Sequence, residues 1–244
     1  DKGPLVAAVL FRSSEKDLLM ITLHHLIADA VTCRILLDDL GVCYEQARSG
    51  QSINLPPIHF TFRDWSNHLA QHAQSKTSER EVAYWEAVLR EPSSELLVDR
   101  SAVNRYSDCH SKEIELSRAE TKALLACQPS GRGKDTLSIL LTALGRALQL
   151  WHGGAATRIL LEGHGRHMLE DDIEVNRTAG WFTALFPFAL RLEGPTAKAQ
   201  VDGIRQRLED IPGGGVGFGV ARHLAPESTR DVLRRYELPR LAFN

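Results

Sequence analysis

Residues 21–40, ITLHHLIADAVTCRILLDDL, change period half-way, and that change constrains the fold more than any other feature of the chain. The first half closes an apolar strand-like run, residues 17–25, which follows a similar run at 5–11 across the polar turn RSSEKD. The second half has helical spacing, from Val31 through Ile35, Leu36, Leu40, Val42 and Cys43 to Ala47. Asp29 stands where an N-cap belongs, and SGQS ends the helix. Both strands are apolar enough to be central in a sheet.

The remaining chain alternates irregularly. INLPPIHF reads as an irregular linker, then residues 61–74 and 78–91 as two amphipathic helices, the second opening with a capping box of Ser78 and Glu81. Residues 94–110 read as loop, 111–117 as an alternating strand and 118–128 as a helix. GRGKDT is a turn before a strongly apolar helix closed by Gly153 and Gly154. Residues 157–166 form a buried strand, and 180–192 an apolar strand whose Pro187 implies an edge, a bulge or a break. A helix at 196–211 and a short one around TRDVLRRY follow. This order predicts mixed α/β layers rather than a bundle or a sandwich.

A length of 244 residues with 43% hydrophobic content suits one large domain or two small ones. The net charge of -2 gives no electrostatic case for nucleic acid or an anionic membrane. Cys33, Cys43, Cys109 and Cys127 have no zinc spacing and are too sparse for a disulfide scaffold, so buried free thiols in a cytoplasmic protein are expected. No apolar run approaches the roughly 20 residues that span a bilayer, and no signal peptide is evident. The start at Asp1 and the end at LPRLAFN in mid-pattern read as an excerpt from a longer polypeptide.

Four segments could carry chemistry. His24 and His25 end a strand, where adjacent side chains point to opposite sides. Their spacing makes a poor metal site. It leaves open a satisfied core histidine, which the spacing favours, and a general base, since imidazole titrates near neutral pH. In LLEGHGR, Glu162 closes an apolar run and is expected to be partly buried, either ion-paired with Arg166 or poised for proton transfer. PGGGVGFG fits neither a Walker loop nor GxGxxG, and is either a flexible turn or a place where backbone approaches something long and thin. NRTAGWFTALFP offers Thr183 on an otherwise apolar run, and by itself is core packing. No GxSxG supports hydrolase chemistry.

HHLIADAVTCRILLDDL resembles the HHxxxD segment of the condensation-domain superfamily of nonribosomal peptide synthetases, a motif shared with acyltransferases of the chloramphenicol-acetyltransferase fold. EGHGR followed by NRTAGWFTALFP is similar to epimerization domains, whose patterns read EGHGRE and RTVGWFTxxFP. IPGGGVGFG resembles their GVGYG stretch, and the terminal LAFN the start of their FNYLG segment. The chain departs from the pattern at Ala30, Cys33, His167 and Ala179, where Gly, Trp, Glu and Val are usual.

The resemblance implies a chloramphenicol-acetyltransferase-like fold of two α/β lobes, here a partial domain lacking both ends. Residues 1–75 would end the N-terminal lobe, and 76–244 would belong to the C-terminal one. It implies inversion, L to D, at the α-carbon of an aminoacyl or peptidyl thioester on the phosphopantetheine arm of a carrier domain within a multi-module synthetase. His25 and Glu162 would be the acid/base pair. His24 would be structural and Asp29 would orient the loop through a cap or an arginine pair. Arg166, Asn176, Arg177, Trp181, Phe182 and Thr183 would line the active-site floor. No metal, nicotinamide or pyridoxal cofactor is implied, because the pantetheine belongs to the partner.

Overall fold

The computed structural model describes residues 3–94, 105–127, 133–166 and 173–244, with the side chains of 76–79 and 133–135 left outside the description. His167 and the loop expected at 95–104 therefore lie outside the described residues.

Strands β1 (Val6–Phe11) and β2 (Leu18–Leu23) pair antiparallel, with Val6 opposite Leu23 and Phe11 opposite Leu18. The hydroxyl of Ser13 organises their turn by donating to the Lys16 carbonyl at 2.7 Å. Among the described residues this pair forms a sheet of its own rather than the centre of a larger one. Leu10, Leu18 and Met20 remain exposed on it, so an apolar content suited to two covered faces meets solvent here.

Helix α1 (Ala30–Arg48) begins as expected, with Asp29 accepting the Thr32 N–H at 2.7 Å. After the irregular residues 51–60 come α2 (Phe62–His72), opened by a Thr61–Asp64 capping box, and α3 (Lys76–Arg90). Helix α3 starts ahead of Ser78, so Ser78 is not its cap. Glu81 instead turns inward and meets buried His72 at 3.4 Å.

Residues 111–117 form no strand. Their alternating Ile114 and Leu116 are exposed, and among the described residues no neighbouring strand pairs with them. Ser117 caps α4 (Arg118–Ala126) in a second capping box, with Glu120. Helix α5 (Gly133–His152) starts inside the expected GRGKDT turn and stops at Gly153, whose φ of 72° favours glycine.

A three-stranded sheet follows. Strands β3 (Ala156–Gly163) and β4 (Ala184–Arg191) run antiparallel, with α6 (Ala197–Glu209), α7 (Val216–His223) and α8 (Glu227–Arg234) after them. Strand β5 (Ala242–Phe243) joins β3 in parallel, giving the order β4-β3-β5. Among the described residues Pro187 thus sits on an edge strand, where a missing N–H is tolerated.

The inward residues Ile159 and Leu161 of β3 and Phe186, Phe188 and Leu190 of β4 pack on Trp85, Leu141, Ile204, Phe218 and Leu233 from five helices. Each such side chain contributes roughly 1.5–3 kcal/mol on burial. A second cluster, Trp65, Val175, Phe182, Val216 and Val220, packs behind the candidate site. The PGGG stretch turns tightly, with positive φ at Gly213, Gly214 and Gly215. What its backbone approaches is the Phe186 ring, which a Cβ on Gly215 would strike. Among the described residues no helix is long and apolar enough to cross a membrane. The cysteines are free but not buried: Cys33, Cys109 and Cys127 are exposed and Cys43 half-buried.

Candidate active site

The end of β2 turns sharply. The His24 N–H donates to the Leu5 carbonyl at 2.8 Å, and Ile27 N–H returns to the His24 carbonyl at 3.0 Å. The His24 ring is part of this turn, because its Nδ1 accepts the Leu26 N–H at 3.1 Å. His25 faces away, and its ring lies 5.0 Å from that of Trp181, tilted by 50°. Both histidines are exposed, which overturns the core-histidine reading: the strand stops at Leu23, and a turn rather than a pleat carries both rings.

Asp29 is 3% exposed and holds three segments at once. Its Oδ1 accepts the Thr32 N–H, its Oδ2 accepts the Phe182 N–H at 3.1 Å, and Arg166 Nη2 donates to Oδ1 at 3.1 Å. Asp29 therefore serves as both cap and arginine partner. Burial pushes its carboxyl up, but the interactions with Thr32, the Phe182 N–H and the Arg166 charge outweigh this and hold it below the usual carboxylate range.

Arg166 is buried as well. Nη1 donates to the Val175 and Thr178 carbonyls, both at 2.7 Å, Nη2 reaches the Thr32 hydroxyl at 3.1 Å, and the guanidinium lies 4.1 Å above the Phe182 ring. Glu162 is not among its partners. Strand alternation explains why: Ile159 and Leu161 point inward, so Glu162 points outward and is exposed, opposite Leu185 across the strands. Partial burial of Glu162 was the expectation, but three consecutive apolar residues cover both faces of a strand, not the residue after them.

Gly165 shows how closely these segments meet. Its φ is 65°, and a Cβ there would fall on the Phe182 carbonyl. His164 Nδ1 accepts the Arg166 N–H at 3.1 Å, as His24 does for Leu26. Burial and the Arg166 charge lower the His164 pKa, against an opposing pull from Asp29.

Of the remaining sequence candidates, Arg177 binds Asp39 of α1 through both carboxylate oxygens, at 2.8 and 2.9 Å. Trp181 is partly exposed beside His25. Phe182 is buried against Phe62 and Trp65. Asn176 is exposed and Thr183 half-buried. His25 and Glu162 are both exposed and make no direct hydrogen bond or ion pair with each other. Sequence reasoning missed Thr32, Asp39 and Thr178; their only signal was polar side chains on otherwise apolar faces. Among the described residues no group of His, Cys, Asp and Glu could hold a metal ion.

The profile of the family described as "Condensation domain" matches residues 1–232. The chain belongs to the condensation-domain family. Two relatives of this condensation-domain chain are surfactin synthase subunit 2 of Bacillus subtilis, 35% identical over 99% of the chain, and gramicidin S synthase 1 of Brevibacillus brevis, 34% identical over 99%. The chain spans only 7% and 22% of their lengths. Its structure resembles the epimerization domain from the third module of tyrocidine synthetase B, with a TM-score of 0.86, 33% identity, and coverage of 99% of this chain and 55% of that one. The first condensation domain of the calcium-dependent antibiotic synthetase shares the fold at a TM-score of 0.64 and 18% identity, over 91% of this chain and 50% of that one. The chloramphenicol-acetyltransferase-like α/β fold is therefore the one expected, and the chain spans about half of such a domain.

Proposed function

We propose that this chain carries the catalytic core of an epimerization domain, which inverts the α-carbon of an aminoacyl or peptidyl thioester held on the phosphopantetheine arm of a carrier domain. The observation that carries this is the placing of exposed His25 and exposed Glu162 on separate elements, joined through the buried Asp29–Arg166 pair. Such a pair suits proton removal on one face of a planar intermediate and return on the other. The greater likeness to a solved epimerization domain than to a condensation domain supports the same reading.

In the forward direction the Glu162 carboxylate takes the α-proton, and the C–H electron pair moves into the thioester carbonyl as an enolate. Protonated His25 then gives its proton to the opposite face. Glu162 ends protonated and His25 neutral, and exchange with solvent resets both. Each group must come within about 3 Å of the proton or of a bridging water. Backbone N–H groups or His25 offset the enolate charge. The chain's own residues supply all of these proton transfers, and the pantetheine arrives with the carrier. The proposed lobe boundary lies near residue 75, with α2 at the junction, since Trp65 packs with Val175, Phe182, Val216 and Val220.

The test uses the complete synthetase chain, its carrier domain loaded with an L-aminoacyl thioester, and reads the chirality of the released amino acid. A mixture of L and D that is lost in both His25→Ala and Glu162→Ala supports epimerization. Retained L configuration with transfer to a downstream acceptor would mean condensation instead.

A further inference from the structure

We propose that Thr32 is a positioning residue for His25, acting through Gly180 and Trp181; this rests on the acid/base reading of His25. Thr32 lies one turn into α1 and is 1% exposed. Its hydroxyl donates to the Gly180 carbonyl at 2.8 Å and accepts the Gly180 N–H and an Arg166 Nη2–H, each at 3.1 Å. A hydroxyl has one proton and two lone pairs, so its full capacity is engaged. Those bonds tie the HHxxxD helix to both the EGHGR and the GWFT segments.

Gly180 is held from its other side as well, because a Cβ there would run into the Phe62 ring. Two residues on, the Phe182 N–H is held by Asp29. The α1 N-terminus thus grips residues 180 and 182 with Thr32 and Asp29. Trp181, between the two anchors, presents its ring to His25. Removing the Thr32 hydroxyl frees one anchor and leaves the Gly180 N–H and C=O and an Arg166 N–H without their partner. Trp181 and the His25 ring it contacts then lose their fixed placement, although nothing touching the substrate has changed.

The experiment compares Thr32→Val, which keeps the shape, and Thr32→Ser, which keeps the hydroxyl, in the complete synthetase, with His25→Ala alongside. Folding is checked by circular dichroism and melting. Thr32→Val should lower kcat about 10- to 100-fold with little change in KM, as expected for a misplaced catalytic group. Thr32→Ser should restore kcat to within about threefold. A folded Thr32→Val with the parent kcat overturns the proposal, as does a folded Thr32→Ser no better than Val. If Val does not fold, Thr32→Ala, which leaves room for a water to take over the three bonds, is read the same way. Failure of Ala to fold as well makes the role structural and ends the proposal. A fully active His25→Ala would instead sink the acid/base reading, a different outcome from any of these.

Discussion

Asp29 and Arg166, 137 residues apart in the chain, form an ion pair at 3.1 Å whose two side chains are 3% and 4% exposed. The pair joins α1 to the loop after β3, and bonds to Thr32, Phe182, Val175 and Thr178 offset the cost of burying two charges together, with Arg166 Nε left unpaired. Arg166→Met leaves the Asp29 carboxylate buried without its cation. It should cost roughly 3–5 kcal/mol in denaturant unfolding, whereas losing an exposed pair such as Arg34–Asp38 should cost under about 1 kcal/mol.

The same carboxylate sets an acid limit. Its folded pKa lies below the unfolded value of about 3.9, so its stabilisation is present above that value and is lost as pH falls through the lowered one. Asp29→Asn should therefore flatten the acid limb of stability in melts between about pH 5 and about pH 2. An acid limb as steep as the parent's would contradict this.

His164 acts in the same sense at higher pH. Its folded pKa is depressed, so the unfolded chain binds the proton more readily once pH drops below about 6.5, and stability falls there. His164→Asn keeps an acceptor for the Arg166 N–H but does not titrate. The variant should lose less stability than the parent between about pH 8 and about pH 5.5, measured by urea unfolding.

Gly165→Ala meets two penalties, a left-handed φ and a Cβ against the Phe182 carbonyl. The left-handed conformation alone costs about 1–2 kcal/mol, so a loss above about 2 kcal/mol is expected. A melt within about 0.5 kcal/mol of the parent would mean the two loops can separate freely.

Among the described residues the β1–β2 pair has no covering layer, and a lone hairpin is marginal in water. Amide hydrogen exchange should be fast throughout Val6–Leu23 and slow at Ile159 and Leu161, which are buried in the main core. Equal protection of the two regions would contradict this.

Much of this was legible in local signals. The Asp29 cap, the α1 period and the edge, bulge or break implied by Pro187 follow from rules that operate over a few residues. The motif strings carried the family, but not the geometry inside it. Glu162 was misplaced because a continuous apolar run does not say which face is covered. Residues 111–117 alternate like a strand, yet a strand needs a neighbour, and no local pattern supplies one. Glu162 was one candidate partner for nearby Arg166, whose partner Asp29 lies 137 residues away. Thr32 carried only the weak signal of a polar side chain on an apolar face, because its role is visible only once Gly180 is beside it.

The central claim is that two groups transfer protons on opposite faces, and α-deuterium reads it most directly. The complete synthetase is loaded separately with L- and with D-aminoacyl thioester in D2O, for the parent, His25→Ala and Glu162→Ala. The account predicts that the parent reaches one L/D mixture from either start, with deuterium at the α-carbon of the inverted product. Each variant should lose inversion, and Glu162→Ala should also lose exchange from the L substrate. Retained configuration without deuterium from both substrates in the parent, with the carrier correctly loaded, would contradict it.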